Sequence, residues 1–362
     1  MIVITDAGNA RFKVIQFDLS SRRNPRQAPI VLREELFLVT KQVLTDSSPV
    51  LRKRFESHPS SDVASPALRT EEDSISSMEI WLRVLHKTVI PDTYKVAIYE
   101  MWYLAAASEN YQFDIKRLKT WFEEWYIQQK VDPYSFRQLL FPCWTFDHAR
   151  GFLNATREAV YDSVGYIKEE SPVKYSLPRF HLPYVVIQNL VSAKKSLRDN
   201  LEAALWEPIA QLLRAKCSCK VDTQYGYIHA LEGTGGWPFH HLWPRASVTD
   251  ILNRLSRFSY QAAPNACKRC RKNYEAIVES AVRTARCDFD GLCLDCMERS
   301  KPRPETDAED YLKDNMPTVD DWSRPCRVQH GEPTWYHSFM GQREYRNVLL
   351  KNLRGRYPSR MR

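Results

Sequence analysis

Residues 37–55 read FLVTKQVLTDSSPVLRKRF. Its first residues close an apolar, β-branched run, IVLREELFLVT, that begins at Ile30 and reads as one long strand or a strand pair. From Lys41 the pattern turns helical, and the helix is interrupted at Ser48-Pro49, where proline removes a backbone donor and fixes φ. Upstream lie two short β-rich runs, IVIT and RFKVIQFDL, and a polar loop, SSRRNPRQAP. Downstream, a polar linker, SHPSSDVASP, leads into SSMEIWLRVLHKT, whose Met78, Leu82 and Leu85 share one face of a predicted helix. VAIYEMWYLAAASENY and DIKRLKTWFEEWYIQQK complete a helical cluster, with Asp114 as the expected cap of the second. Strands first and helices after them predict an α+β domain over residues 1–130, with the many rings of the last two helices mostly in its core.

The chain has 362 residues, 43% hydrophobic and 12% aromatic, enough for two or three domains with real cores. No apolar run approaches the roughly 20 residues of a membrane span. The first residues, MIVITDAGNARFKVIQF, lack the basic and apolar regions of a signal peptide, so we expect an intracellular protein, in the nucleus, the cytoplasm or both. Its nine cysteines are then expected to be reduced. Residues 341–362 form a basic tail: seven Lys or Arg against one acid from Gln342 onward give +6 of the chain's +8. Between residues 131 and 216 the pattern is helical throughout, ending in a long helix from about Pro183 to Arg214. Residues 217–340 hold eight of the nine cysteines and are expected to form an irregular, zinc-binding α+β domain.

Cys267-Lys-Arg-Cys270 and Cys293-Leu-Asp-Cys296 are two C-x2-C knuckles with twenty-two residues between them. A two-residue spacer turns both thiols onto one ion, and two knuckles close the tetrahedron that zinc prefers. Gly291 suits a tight turn before the second knuckle, and a short helix is expected to start near Leu294. Cys217, Cys219, Cys326 and His330 compose a second, Cys3His set, with Cys287 a competitor for either site and His229 a weaker one. Cys143, in LLFPCWTF, reads as a core residue. About two structural zinc ions are therefore expected, with every ligand position taken by protein and none left open for substrate.

Several of these strings resemble known proteins. FLVTKQVLTDSSPVLRKRF, LRTEEDSISSMEIWLRVLH and the aromatic helices to Tyr126 resemble a BTB/POZ domain, with Thr40 and Leu51 standing where that family usually has His and Phe. LLFPCWTFDHARGFLNATREAVYDSVGYI, AKCSCK, FDGLCLDCMERSKP and CRVQHGEPTWYHSF are similar to a group of filamentous-fungal BTB-domain proteins with a cysteine-rich C-terminal half. The resemblance implies a protein–protein interaction module that pairs with itself or a partner, and in some family members recruits a cullin-type ubiquitin ligase.

Catalytic signatures are missing: there is no H-E-x-x-H, G-x-S-x-G or G-x-x-x-x-G-K-[ST]. The glycine-rich Gly233–Gly236 runs into Trp237-Pro238 with no lysine to reach phosphate and reads as a structural turn. His240 and His241, taken as neighbours on an extended backbone, would point opposite ways and share no metal. The expected function is thus a non-enzymatic adaptor with structural zinc. The alternative is a nuclear transcription or chromatin regulator that binds nucleic acid through the basic knuckle (Lys268, Arg269, Arg271, Lys272) and the tail. A RING-type ligase fits less well, because the central Cys-x-His pair of that pattern is absent.

Overall fold

The structure is a computed structural model; it describes residues 1–18, 30–57, 63–64, 73–129, 135–173, 177, 179–299 and 326–330. The basic tail, residues 341–362, lies outside the described residues. The chain divides into two compact units, Met1–Gly151 with Glu169–Leu182, and Phe152–Lys168 with Pro183–Arg362.

The first unit is a mixed α+β body around a small sheet. Strands β1 (Ile2–Val3), β2 (Ala10–Asp18), β3 (Ile30–Val39) and β4 (Val63–Ala64) lie in the order β1-β3-β2-β4. β2 and β3 are antiparallel, while β1 on β3 and β4 on β2 are parallel. Alternation puts Ala10, Phe12 and Val14 of β2, and Phe37 and Val39 of β3, into the core. The run from Ile30 is one strand, not two.

The break at Ser48-Pro49 separates helices α1 (Lys41–Ser47) and α2 (Pro49–Ser57). Ser48 is fully buried and caps α2, its Oγ accepting from the Leu51 amide at 3.0 Å while donating to the Tyr111 carbonyl. Proline in the first position of α2 loses nothing, because that N–H has no partner in a helix. Helix α3 (Ile75–His86) is buried on nearly every side, Met78, Leu82 and Leu85 included. Its end is tied to the sheet through His86. The ring Nδ1 stands 2.7 Å from the Leu82 carbonyl and carries the proton, leaving Nε2 to accept from the Thr40 amide at 2.9 Å.

Helices α4 (Glu100–Tyr111) and α5 (Lys119–Gln128) carry the aromatic cluster. Trp102, Tyr111, Phe113, Trp121, Phe122 and Trp125 are buried. The indoles of Trp81, Trp121 and Trp125 donate to Leu104 O, Thr93 Oγ1 and Val96 O. Asp114 caps the 3-10 turn Ile115–Leu118 ahead of α5, accepting from the Lys116 amide. Helix α6 (Phe136–Thr145) buries Cys143, which is a core residue whose thiol burial pushes upward.

Helix α7 (Ala149–Asp162) crosses the boundary between the units, and with α6 and α8 (Tyr184–Leu213) it supplies the regular structure described in 131–216, where the described residues between Ser163 and Pro183 form no helix. α8 is the spine of the second unit, about 45 Å long at 1.5 Å per residue. Against it and one another pack α9 (Lys220–Gly233), α11 (Val248–Leu255) and α12 (Tyr274–Arg286). One-turn α10 (Phe239–Leu242) and α13 (Leu294–Arg299) complete the unit. Ser247 and Asp250 form a capping box at the start of α11.

Strands were expected in residues 217–340; among the described residues of that range every regular element is a helix. The physical reason is in the spacing. Ile251, Leu252 and Leu255, like Val278, Ala281, Val282 and Ala285, recur at the three-and-four interval of a helix face, and all are buried.

Candidate metal centres

Two helix ends and one turn build the first centre. Cys217 follows the end of α8, and Cys219 is the residue before α9. Cys267 to Cys270 is a tight turn ahead of α12, closed by the Cys270 and Arg271 amides donating to the Cys267 carbonyl at 2.9 Å. The Cys267 amide points back to Cys219 Sγ at 3.4 Å. The four sulfurs of Cys217, Cys219, Cys267 and Cys270 all lie within 4.8 Å of one another, Cys217 and Cys270 at 3.4 Å.

The second centre is assembled on α7. Thr156 Oγ1 accepts from the Leu292 amide at 2.8 Å, and the Tyr161 hydroxyl takes the Phe289 amide at 3.3 Å while donating to Ala285 O at 2.7 Å. Between them Gly291 has φ +110°, and a Cβ there would stand 2.1 Å from the Leu153 carbonyl oxygen. This pinned loop delivers Cys293 and, on the first turn of α13, Cys296. Cys326 and His330 meet them, with Cys326 Sγ 3.6 Å and His330 Nε2 3.4 Å from Cys296 Sγ. All four ligand atoms again fall within 4.8 Å. Arg327 holds this segment in place: its amide and guanidinium grip both oxygens of Asp295, at 2.7 and 2.8 Å.

The structure thus brings together all eight residues singled out from sequence, in a different pairing. The knuckles do not close one site between them. Cys267 and Cys270 join Cys217 and Cys219; Cys293 and Cys296 join Cys326 and His330. The reason is α12, whose thirteen residues between the knuckles form a rod of about 20 Å. Each knuckle therefore takes its complement from elsewhere in the chain. Cys287 is exposed and belongs to neither group, and His229 stacks on Tyr225 instead. His240 and His241 sit on one-turn α10, not on an extended chain, with ring centroids 3.9 Å apart, and they too belong to neither group.

Both groups fit zinc. Zn–S bonds of about 2.3 Å and Zn–N bonds near 2.0 Å give tetrahedral edges of about 3.8 Å (S to S) and about 3.6 Å (S to N). The 3.4–3.6 Å separations sit close to those edges, and none of these cysteines forms a disulfide. The protonation pattern points the same way. Donation from the Cys270 backbone and the Cys219 thiol draws Cys267 down to about 6, whereas burial and its thiol neighbours push Cys270 up to about 12. In the second centre Cys326 is drawn far down by the Cys293 and Cys296 thiols, and Cys296 is driven far up by Cys293 and Cys326. Burial lowers His330, but its contacts with Cys293 and Cys326 outweigh that and raise it to about 10. Crowded thiols shift one another unevenly because neighbouring thiolates repel; a dication would offset that charge, four thiolates in the first group and three beside a neutral imidazole in the second. Two structural zinc ions, one per group, match the donor sets.

No family model, curated protein or solved structure matches the chain. Among the described residues no helix is long and apolar enough to cross a membrane.

Sequence reasoning missed the residues that position the ligands: Thr156, Tyr161, Asp295 and Arg327. Asp295 was within reach, being the acid inside a knuckle next to a cysteine on the following helix. Thr156 and Tyr161 lie more than 120 positions from the loop they hold and left no local signal.

Proposed function

We propose that the chain is a non-enzymatic adaptor for protein–protein interaction whose zinc ions are structural. The observation that carries this reading is that each centre has four protein ligands, which fills a tetrahedral shell and leaves no position for water or substrate. Zinc in such a shell folds the loops that hold it and presents their outer surface. The first unit is the pairing module of this reading. Its order of three strands, two helices divided at Ser48-Pro49, a fourth strand and a helical cluster supports the BTB/POZ-like assignment. Self-association and a cullin-type ubiquitin ligase are the partners that assignment proposes, in the nucleus or the cytoplasm.

The test is affinity capture of the full chain from native extract with mass-spectrometric identification, alongside light scattering of the purified chain. A cullin recovered with its ring partner makes the chain a ubiquitin-ligase substrate adaptor. Capture of no specific protein, from a folded and zinc-loaded sample that runs as a monomer, sinks the adaptor reading. The nuclear regulator remains the second reading, because the first centre is ringed by cations.

A further inference from the structure

The two metal centres carry opposite surroundings. Around the first, residues 214–222 and 267–275 hold seven Lys or Arg against Asp222 and Glu275. Folding brings these two stretches together, because their cysteines share one group. The rim stays net positive even beside a metal tetrathiolate, whose formal charge is about −2. Arg214, Lys216, Lys268 and Arg269 are exposed, and among the described residues none of the four has an ion pair or a side-chain hydrogen bond. Arg271 and Lys272 are engaged differently, donating to Pro264 O and Gln211 Oε1.

Apolar side chains stand among these cations. Leu213 adjoins Arg214 and is 56% exposed; Val221 follows Lys220 and is 63% exposed; Tyr225, one turn further along α9, is 71% exposed. Leu213 and Val221 flank the very loop that carries Cys217 and Cys219. Phosphates would reward the cations, but leucine and valine offer no face for a base to stack on, and Tyr225 already stacks on His229. Carboxylates interspersed with apolar side chains would reward both, with arginine forks gripping the carboxylates and the aliphatic positions losing water.

We propose that the rim of the Cys217/Cys219/Cys267/Cys270 centre is a docking surface for an acidic peptide segment that carries apolar side chains. The charge and exposure stand on their own; that the segment belongs to a partner protein rests on the adaptor reading. Zinc at this centre fixes two cation-bearing loops in one surface, so metal loading and docking are linked.

Fluorescence anisotropy on the full, zinc-loaded chain tests this with three probes: a labelled peptide alternating Glu with Leu and Phe, a poly-Glu peptide of equal length, and a labelled DNA duplex. The expected result is saturable binding of the first probe, weaker binding of the second, and decline of both with salt. Lys268→Glu with Arg269→Glu should weaken the first probe about tenfold or more, which corresponds to about 1.4 kcal/mol. Leu213→Ser with Tyr225→Ser should weaken the first probe and leave poly-Glu unchanged. Zinc content and far-UV circular dichroism of each variant must match the parent, so that lost binding is not lost folding. Equal binding of both peptides overturns the apolar part of the proposal. Tighter binding of the duplex, insensitive to the Leu213 and Tyr225 changes, replaces it with a nucleic-acid surface. No binding of any probe at low salt overturns it outright. Captured partners that persist when Lys268 and Arg269 are reversed also overturn it, while leaving the adaptor reading in place.

Discussion

The two metal centres use the same chemistry in opposite settings. In the first, three of four ligands are partly exposed and the neighbouring side chains are cationic. In the second, Cys293 and Cys296 are buried, and the flanking residues Asp288, Asp290, Asp295 and Glu298 are acidic. The first centre joins helix ends that α8, α9 and α12 already place near one another. The second joins a loop pinned to α7 with the segment 326–330, whose contacts with the knuckle include the Asp295–Arg327 pair and the metal ligands. The second centre should therefore contribute more to stability, and the first more to surface.

The largest expected effect tests that ranking directly. Cys293→Ser leaves a buried ligand position without its thiolate and should remove one of two zinc ions, at upwards of about 4 kcal/mol. Cys217→Ser, at a partly exposed position, should also remove one ion but lower the melting temperature less. Cys287→Ser should leave both ions in place, since its thiol is in neither group. Metal content by plasma mass spectrometry with thermal unfolding of the three variants checks this, and a larger loss from Cys217→Ser than from Cys293→Ser would break the comparison.

Next is the loop that serves only the second centre. Gly291→Ala introduces a Cβ 2.1 Å from a backbone oxygen of α7, at a φ that side chains avoid, so the loop must move. We expect a loss of about 3 kcal/mol and weaker zinc retention at the second centre with the first still loaded. Competition with a chromophoric chelator reads the two centres as separate phases. Equal weakening of both would mean that the loop supports the whole unit instead of one centre.

How far residue order foretells these features depends on the range of the interaction. Ser48-Pro49 was legible as a helix break because a cap and a first-position proline act within four residues. The eight ligands were legible as types, since few soft donors exist in the chain and most of them cluster. Their pairing was not, because it depends on whether the stretch between the knuckles bends back or runs straight, and α12 runs straight. The cationic rim was half visible: Lys268 to Lys272 are adjacent, but Arg214 and Lys216 join them only through the shared centre. The backbone at His240-His241 differs from the extended chain expected there, because a turn of helix follows Pro238.

A third contrast sets the metal-bearing unit against the first unit in their response to pH. Thiolate and imidazole ligands compete with protons, so the zinc centres weaken as pH falls. The first unit carries the reverse dependence in Glu100. Burial raises its carboxyl to about 7, against a smaller lowering by the Ser74 hydroxyl that donates to it at 2.6 Å. The folded state then binds more protons than the unfolded chain between the ordinary value, near 4.5, and about 7. Stability is therefore lost as pH rises through that window and is constant above it. Glu100→Gln keeps the acceptor for Ser74 and removes the buried charge. It should stabilise the chain by about 2–3 kcal/mol above pH 7 and have little effect near pH 4. Unfolding across that pH range on parent and variant checks the sign, and a variant less stable than the parent at pH 8 would refute the assignment.

The smallest effect concerns the grip on the second centre's outer half. Asp295 takes three contacts from Arg327, yet the arginine side chain is 39% exposed, so solvent screens the pair. Asp295→Asn keeps an acceptor of the same shape and removes the charge. The expected cost is about 1 kcal/mol or less, appearing mainly as faster zinc loss from the second centre. The amide of Arg327 still finds an oxygen, so the segment 326–330 should remain attached. Asp295→Ala removes that acceptor as well and should release the ion faster again. Zinc dissociation rates for the two variants separate charge from backbone tethering. Equal rates would assign the whole effect to the guanidinium fork, and rates equal to the parent would mean that the segment is held without Asp295. In that last case neither centre would lean on an ion pair, and their difference would reduce to burial and surface charge.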